Sequence, residues 1–359
     1  MSQPSKAITT DRAKHSAALS FRAGLDPLLA SCLWGGMYVV SRASFGAIPP
    51  VTLGALRVIV GGLTLTLAVR LVARRGRQTA MSAPSAGQTG MSAPPLGGQT
   101  FAPQVGQTFV SVSAGEPWQR ADHLRAFVCG VLVAGCILAQ FLGTSLASAH
   151  DGALLTTVTP VFIVPLAWLL LGERPTWRIA LGMLLALAGV AIVVASQDVG
   201  AHADSSLLGD GLLLLSALFW ALFTVVGAPL VRRFSALAAS TAATLWCIPL
   251  LVPLAAVELA LRPQNAPPLA LTPGSVAAVL YLGWGATALA WWLWYRGVAK
   301  LAAGVAAVFF FAQPVVGGLL SGLLLHEPLP PGFWLGGGVL AVGILFVSWQ
   351  KGGSSAPAD

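Results

Sequence analysis

Two prolines inside apolar stretches carry polar neighbours that could bind a solute. Thr156 and Thr159 precede Pro160, and Gln313 precedes Pro314. A proline inside a helix lacks the N–H and frees the carbonyl four residues earlier. In an apolar surrounding each freed carbonyl needs a partner. Two readings remain open: these polar groups face a cavity and bind a solute, or they satisfy the two kinks locally.

Few other polar side chains lie within the apolar stretches. Gln140 and Thr144 are four residues apart, so on a helix they share one face and either bind a polar solute or join helices. Arg57 either binds a carboxylate of the solute, forms an ion pair, or extends to the membrane surface. Glu173 and Glu327 lie at the ends of apolar runs, where we expect them to cap helices and to act in gating.

Aromatic side chains offer stacking surfaces. Four occur at α-helical spacing along one stretch: Tyr281, Trp284, Trp291 and Tyr295. Trp284 and Trp291 are expected deep enough to stack on an apolar or aromatic solute. Trp292 and Trp294 are expected instead in the aromatic belt at the membrane surface. Three further stacking candidates are Trp34, Tyr38 and Trp220.

The sequence lacks the signatures of the common enzyme and nucleotide-binding classes. It contains no GxxxxGK[ST] phosphate loop, no HExxH and no GxSxG. The four cysteines have neither disulfide nor zinc spacing. No apolar run has an acidic residue near its centre, so the usual carboxylate proton relay is absent. We therefore expect no enzyme activity, no cofactor and no metal.

The elements that must position these residues are membrane helices. Of the 359 residues 56% are hydrophobic and only 9% are charged, too few charges to cover a soluble domain. Runs of about 20 apolar residues match the hydrocarbon thickness of a bilayer. Ten spans are predicted, at 27–46, 52–73, 124–147, 152–171, 176–195, 209–229, 237–257, 275–296, 302–325 and 332–349.

The distribution of positive charge predicts the orientation of these spans. The net charge of +8 would suit a nucleic-acid partner. However, all but three of the 20 Lys and Arg residues fall in alternate loops, and the exceptions are Arg42, Arg57 and Arg262. By the positive-inside rule both termini are cytoplasmic, in a multi-pass protein of the cell (inner) membrane. No nucleic-acid partner is expected.

The chain also contains an internal repeat. An offset of 154 residues pairs Pro160 with Pro314 and Glu173 with Glu327, and it pairs Gly182 and Gly189 with Gly336 and Gly343. An offset of 186 pairs Trp34 with Trp220. The predicted units are a tail at 1–24, a first repeat at 25–195 with a disordered cytoplasmic linker at 78–119, a second repeat at 207–350 and a tail at 351–359. With five spans each, the two repeats have opposite orientations, as in many secondary transporters.

These residues resemble a known family. WGG in the first span, Arg57 in the second, and the paired segments TPVF…LLLGE and QPVV…LLLHE resemble the EamA domain of the drug/metabolite transporter superfamily. The resemblance implies an all-α membrane protein of ten transmembrane helices, built as two inverted five-helix repeats around a central cavity. It also implies export of amino acids or other small metabolites.

We therefore expect a secondary transporter that exports amino acids or related amphipathic solutes by alternating access. An uptake permease or a drug exporter of the same fold is the alternative within transport. An intramembrane enzyme would need a converging catalytic constellation, which the sequence does not supply. The expected partners are a small-molecule substrate and the lipid bilayer, and either a monomer or a homodimer fits.

Overall fold

The computed structural model describes residues 23–82, 117–146, 155–196, 207–263, 268–269, 271–325 and 330–348. These residues are almost entirely helical, and none of them lies in a β-strand. The predicted all-α class is confirmed. The two predicted tails (apart from residues 23–24), most of the predicted linker and Glu327 lie outside the described residues.

The helices follow the predicted apolar runs. In the first part of the chain they are α1 (Ala23–Ser44), α2 (Pro50–Ser82), α3 (Arg120–Leu146), α4 (Thr159–Leu171) and α5 (Trp177–Ala195). In the second part they are α6 (Leu207–Arg233), α7 (Ala236–Ala260), α8 (Pro273–Lys300), α9 (Ala303–Val308, Phe309–Phe311 and Ala312–Leu325) and α10 (Pro331–Ser348).

By length and composition, seven of the described helices are long and apolar enough to cross a membrane, consistent with a multi-pass membrane protein. The helices α4, α5 and α10 are apolar but shorter. Several helix boundaries differ from the predicted spans by a few residues, and one difference reaches the predicted linker. Helix α2 runs to Ser82, so the first five residues of the predicted linker 78–119 are helical.

The contact between α5 and α10 depends on two pairs of glycines. A Cβ atom added to Gly182 would lie 3.0 Å from the carbonyl oxygen of Gly343, and one added to Gly189 would lie 2.6 Å from that of Gly336. The earlier residue of one helix meets the later residue of the other, so the two helices run antiparallel. Glycine is needed here because the two backbones approach too closely for any side chain.

Helices α2 and α7 also pack against each other. Gly62 lies against Ile248, the residue 186 positions later. At one end of this pair the Glu258 carboxylate accepts hydrogen bonds from the backbone N–H groups of Val51 (3.0 Å) and Thr52 (2.7 Å). A negative charge at a helix N-terminus accepts hydrogen bonds from the unpaired N–H groups and interacts favourably with the helix dipole. Glu258 therefore fixes the start of α2 to the end of α7.

The helix ends that are predicted to be cytoplasmic are joined by ion pairs. Asp26 of α1 lies 2.8 Å from the Lys300 ammonium of α8, and Asp122 of α3 lies 2.9 Å from the Arg233 guanidinium of α6. The carboxylate of Glu173 pairs with Arg232. These contacts hold the starts of α1 and α3 and the end of α4 against the ends of α6 and α8.

We predict that Gly189→Ala destabilises the protein, because the new methyl group would meet the backbone of α10. Overpacking of this kind costs about 1–3 kcal/mol. The matched control is Gly338→Ala on α10, where an added Cβ meets nothing within 4 Å. Thermal unfolding of the purified protein in detergent measures both. Equal melting temperatures for the two variants would contradict the tight crossing.

Candidate functional site

A small cavity lies where α1, α2, α3, α6, α8 and α9 meet, beside the residues that lead into α4. Its volume is about 30 Å³, room for about two water molecules and too small for an amino acid. The site is therefore too narrow for such a solute in this conformation. Its lining includes Trp34, Met37, Tyr38, Arg57, Cys136, Ile137, Gln140, Thr156, Thr159, Ser216, Ala217, Trp220, Trp291, Phe310 and Gln313.

A continuous chain of hydrogen bonds crosses one wall of this cavity. The Arg57 guanidinium donates to Gln140 Oε1 (3.3 Å), and Gln140 Nε2 donates to the Tyr38 hydroxyl (2.9 Å). That hydroxyl donates to Thr156 Oγ1 (2.7 Å). These hydrogen bonds connect α2, α3 and α1 with the residues that lead into α4. Its members fix one another's orientation, as hydrogen bonds in a low-dielectric interior do.

Arg57 is only 2% exposed, and its other partners are neutral. Nε donates to Thr287 Oγ1 (2.7 Å), Nη2 to the carbonyl of Ala286 (3.2 Å) and Nη1 to Met37 Sδ (2.9 Å). The guanidinium carbon also lies 5.7 Å from the centre of the Phe141 ring. No carboxylate pairs with Arg57 among the described residues. Of the three predicted roles, the ion pair is not observed, and the side chain does not extend to the membrane surface.

A π-helical segment within α8 supplies two of the Arg57 acceptors. Residues Tyr281–Leu289 form hydrogen bonds to the fifth rather than the fourth residue, a geometry common at functional sites. The Thr287 hydroxyl donates to the carbonyl of Leu282, five residues earlier, and accepts from Arg57. Gly61 of α2 lies against this segment, where an added Cβ would come within 3.1 Å of the Gly283 carbonyl. The close approach brings Arg57 within reach of its acceptors.

A cluster of aromatic rings forms another part of the lining. The rings of Trp34 and Trp220 are 5.0 Å apart at 78°, and Trp34 lies 5.3 Å from Phe310. Trp220 also contacts Trp291, at 5.9 Å. The Trp34 indole N–H donates to the carbonyl of Ala286 (2.8 Å). Trp34 and Trp220, which the 186-residue offset pairs, therefore meet face to edge at the cavity.

Three buried N–H groups of the lining have no hydrogen-bond partner among the described residues: Trp220 Nε1, Trp291 Nε1 and Gln313 Nε2. A buried donor without a partner carries its full desolvation cost. The lining therefore holds three N–H donors without an acceptor among the described residues, beside the positively charged Arg57. The lining is therefore suited to a ligand that supplies acceptor oxygens.

Eight of the ten predicted solute-binding residues line the cavity: Trp34, Tyr38, Gln140, Thr156, Thr159, Trp220, Trp291 and Gln313. Thr144 does not, and its hydroxyl donates to the Gln140 carbonyl one turn earlier (2.7 Å). Trp284 does not either. Its side chain is 53% exposed and faces a lateral groove of about 590 Å³ together with Leu65 and Trp292.

The π-helical segment explains why Tyr281, Trp284, Trp291 and Tyr295 do not share one face of α8, as their α-helical spacing predicts. The prediction assumed α-helical spacing throughout α8. The wider turns of Tyr281–Leu289 rotate Trp284 away from the face that carries Trp291. The belt assignment of Trp294 is also wrong. Trp294 is fully buried, and its indole N–H donates to Thr224 Oγ1 (3.1 Å).

Both proline positions coincide with breaks in helix geometry. Helix α4 begins at Thr159, one residue before Pro160, and the segment Phe309–Phe311 before Pro314 is a 3-10 helix. The carbonyl freed at Thr156 accepts from the hydroxyl of Thr159. The first kink is therefore satisfied locally, although both threonines line the cavity.

Glu173 caps a helix, although not the one that follows it in sequence. One oxygen accepts from the backbone N–H of Ala303 (2.7 Å), at the start of α9, and the other pairs with Arg232. The C-cap Gly172 makes this possible, since its left-handed conformation (φ 70°) turns the chain at the end of α4. Glu173 thereby joins three helices.

Sequence reasoning missed several residues of the site, above all Thr287 and Ser216. Thr287 is the one threonine of the predicted span 275–296, and a buried arginine elsewhere in the chain needs such an acceptor. Ser216 lies one turn before Trp220. No group of three or more metal-binding side chains occurs among the described residues.

Comparison with known proteins identifies relatives that are transporters. The sequence profile described as the EamA-like transporter family matches residues 104–195 and 207–349. An uncharacterized transporter of Bacillus subtilis, YetK, is 33% identical over 209 residues, which are 57% of this chain and 60% of the relative. The chain thus matches about three fifths of that relative's length.

Two other relatives have names that state a substrate. The aromatic amino acid exporter YddG of Salmonella typhimurium is 27% identical over 271 residues, covering 70% of this chain and 86% of the relative. A probable terminal-alkyne amino-acid exporter of Streptantibioticus cattleyicolor is 28% identical over 205 residues, which are 56% of this chain and 64% of the relative. A solved structure described only as "Crystal structure of protein" superimposes with a TM-score of 0.65 over 92% of this chain and 97% of that one. At 20% identity it supports the fold alone.

The opposite placement of two tryptophans on α8 gives a test of the site geometry. In vesicles that contain brominated lipids, which quench indole fluorescence on contact, we expect Trp284→Phe to remove part of the quenched signal. Trp291→Phe, the matched control, removes signal that the lipids do not reach, because Trp291 is only 1% exposed. An equal quenched loss in both variants would contradict the π-helical register.

Proposed function

The chain belongs to the EamA-like transporter family, and on that basis we propose that it is a secondary transporter that exports amino acids or related amphipathic solutes by alternating access. The observation that carries the proposal is the narrow cavity between the helices. Its lining combines aromatic rings, a hydrogen-bonded polar chain and three N–H groups without a partner among the described residues. An amphipathic solute matches this combination, since its apolar part needs the rings and its polar part needs the donors.

The names of two relatives support the substrate class. One relative is an aromatic amino acid exporter and another a probable exporter of terminal-alkyne amino acids. Trp34, Trp220 and Phe310 provide the stacking surface that an aromatic or unsaturated side chain would use. We extend the direction of transport, outward, to this chain on the same grounds.

For the architecture we propose ten transmembrane helices in two inverted five-helix repeats, residues 25–195 and 207–350. The crossed glycine contacts support this arrangement. The 154-residue offset pairs Gly182 with Gly336, yet Gly182 contacts Gly343 and Gly189 contacts Gly336. Crossed partners of this kind are what a twofold axis between α5 and α10 produces. The contact between the offset partners Trp34 and Trp220 supports the same axis.

Alternating access is supported by the size of the cavity and by the ion pairs at one end of the helices. A volume of about 30 Å³ cannot hold an amino acid, so the helices must separate for a solute to enter. The carboxylates of Asp26, Asp122 and Glu173 close the predicted cytoplasmic end by joining different helices. We propose that these pairs separate when the cavity opens to the cytoplasm.

We expect topology reporters fused after residues 75, 204, 262 and 351 to read inside, outside, outside and inside. The expectation follows from the positive-inside rule and an odd number of spans in each repeat. Paired phosphatase and fluorescent-protein fusions measure it in cells, each serving as the other's control. A reversal at any of the four positions would contradict both the inverted repeat and the cytoplasmic termini.

We expect purified protein in liposomes to move labelled aromatic amino acids, and Gln140→Ala to reduce this flux by about tenfold. The magnitude corresponds to the loss of one hydrogen bond to a charged group, since Gln140 links Arg57 to Tyr38. Trp34→Ala should reduce flux as well. Trp168→Ala is the control, because its side chain lies on the surface of α4 and is 54% exposed.

Protein abundance in the liposomes is measured in parallel by immunoblot. Equal flux in Gln140→Ala and Trp168→Ala would remove Gln140 from the site. Absence of flux for a broad panel of amino acids and related amphipathic solutes would overturn the proposed function.

A further inference from the structure

We propose that the transporter recognises the carboxylate of its solute through Arg57 and does not need an amino group. The favoured solute class is then an amphipathic monocarboxylate with a single negative charge, such as an aryl-substituted carboxylic acid. This inference rests on the proposed transport function and narrows its substrate class.

The first argument is the charge of Arg57. Its guanidinium is 2% exposed, and each of its hydrogen-bond partners is a neutral oxygen or sulfur. A buried charge without an opposite charge is costly, and a paired one much less so. A bound carboxylate would neutralise Arg57, and its planar oxygens match the planar donors of a guanidinium.

The second argument is the absence of an anion for an ammonium group. The acidic residues of the described part of the chain lie at helix ends, and none of them lines the cavity: Asp26, Asp122, Glu173, Asp210 and Glu258. A zwitterionic amino acid would neutralise Arg57 but add an ammonium charge with no acidic partner among these lining residues. A monocarboxylate leaves the site neutral.

The third argument is the number of donors. The indole N–H groups of Trp220 and Trp291 and the amide of Gln313 have no partner among the described residues. An ionised carboxylate accepts up to about four hydrogen bonds and donates none. An ammonium group would add further donors to a lining that already holds these three unpaired donors.

The fourth argument concerns the rest of the solute. The aromatic wall formed by Trp34, Trp220 and Phe310 faces the same cavity as Arg57. A carboxylate held at Arg57 therefore places an attached aryl or alkyl group against these rings. A small inorganic anion or acetate would leave this wall without a partner.

The test uses three compounds that share a phenyl ring and differ in charge: 3-phenylpropionate, L-phenylalanine and phenethylamine. Affinity for the full chain in detergent is measured by the change in tryptophan fluorescence, and flux is measured in liposomes. We expect 3-phenylpropionate to bind at least as tightly as L-phenylalanine, and phenethylamine to bind about tenfold more weakly or worse.

Two substitutions test the role of Arg57. Arg57→Gln should weaken 3-phenylpropionate binding by about tenfold or more while phenethylamine binding stays the same or improves. Arg57→Lys keeps the charge and should keep the preference for the acid. A purely structural Arg57 would weaken all three compounds alike.

A third substitution keeps Arg57 and tests the charge argument independently of folding defects in the first two. Gln140→Glu is nearly isosteric and places a carboxylate where Gln140 Oε1 now lies, 3.3 Å from the guanidinium. An internal ion pair would then replace the bound carboxylate, so the preference should reverse in favour of phenethylamine. An unchanged order of affinities in a folded, monodisperse Gln140→Glu protein would overturn the inference.

The failure of this inference and the failure of the proposed function give different results. If phenethylamine binds and moves as well as 3-phenylpropionate, carboxylate recognition is wrong and transport stands. If 3-phenylpropionate binds through Arg57 but no compound moves across the liposome membrane, transport is wrong and carboxylate recognition stands.

Discussion

A positive charge buried among membrane helices is the constraint on which the centre of this molecule depends. Arg57 has no acidic partner in the described part of the chain, so its donors must be satisfied by oxygens and a sulfur that neighbouring helices bring to it. That requirement accounts for the π-helical geometry around Thr287, which presents a hydroxyl and the carbonyl of Ala286 on one side of α8. It also accounts for the close glycine contact at Gly61, which lets α2 approach α8.

The cavity lining has a polar part, made of hydrogen-bonded side chains, and an aromatic part. The polar chain from Gln140 through Tyr38 is rigid, because each member both donates and accepts. The aromatic wall around Trp34 and Trp220 is held by ring contacts and by an indole hydrogen bond to α8. The acidic residues that the structure describes lie at helix ends, where Glu258 and Glu173 accept from backbone N–H groups at helix starts and Asp26 and Asp122 pair with basic residues. The cavity lining thus has one charged side chain, Arg57, among neutral groups.

Much of this site follows from sequence, and the exceptions have a common cause. Tyr38 and Gln140 could be identified because a polar group in an apolar span needs a partner, and such partners tend to lie toward the protein interior. Trp284 and Trp294 were misplaced because a change from α- to π-helical hydrogen bonding leaves no mark in a pattern that assumes one period. Thr287 was missed for a related reason. Its role exists only through Arg57, which is far from it in sequence, and a single sequence does not reveal which distant residues meet.

The crossing of α5 and α10 has a further consequence, which concerns how much sequence information a membrane interface requires. Its two close contacts, Gly182 with Gly343 and Gly189 with Gly336, use one spacing of seven residues on both helices. Exchanging the two helices carries one contact onto the other, so the same close glycine packing is required of both helices. An asymmetric crossing would need two different helix surfaces that fit each other. Here both helices carry the same pair of glycines seven residues apart, and each pair packs against the other.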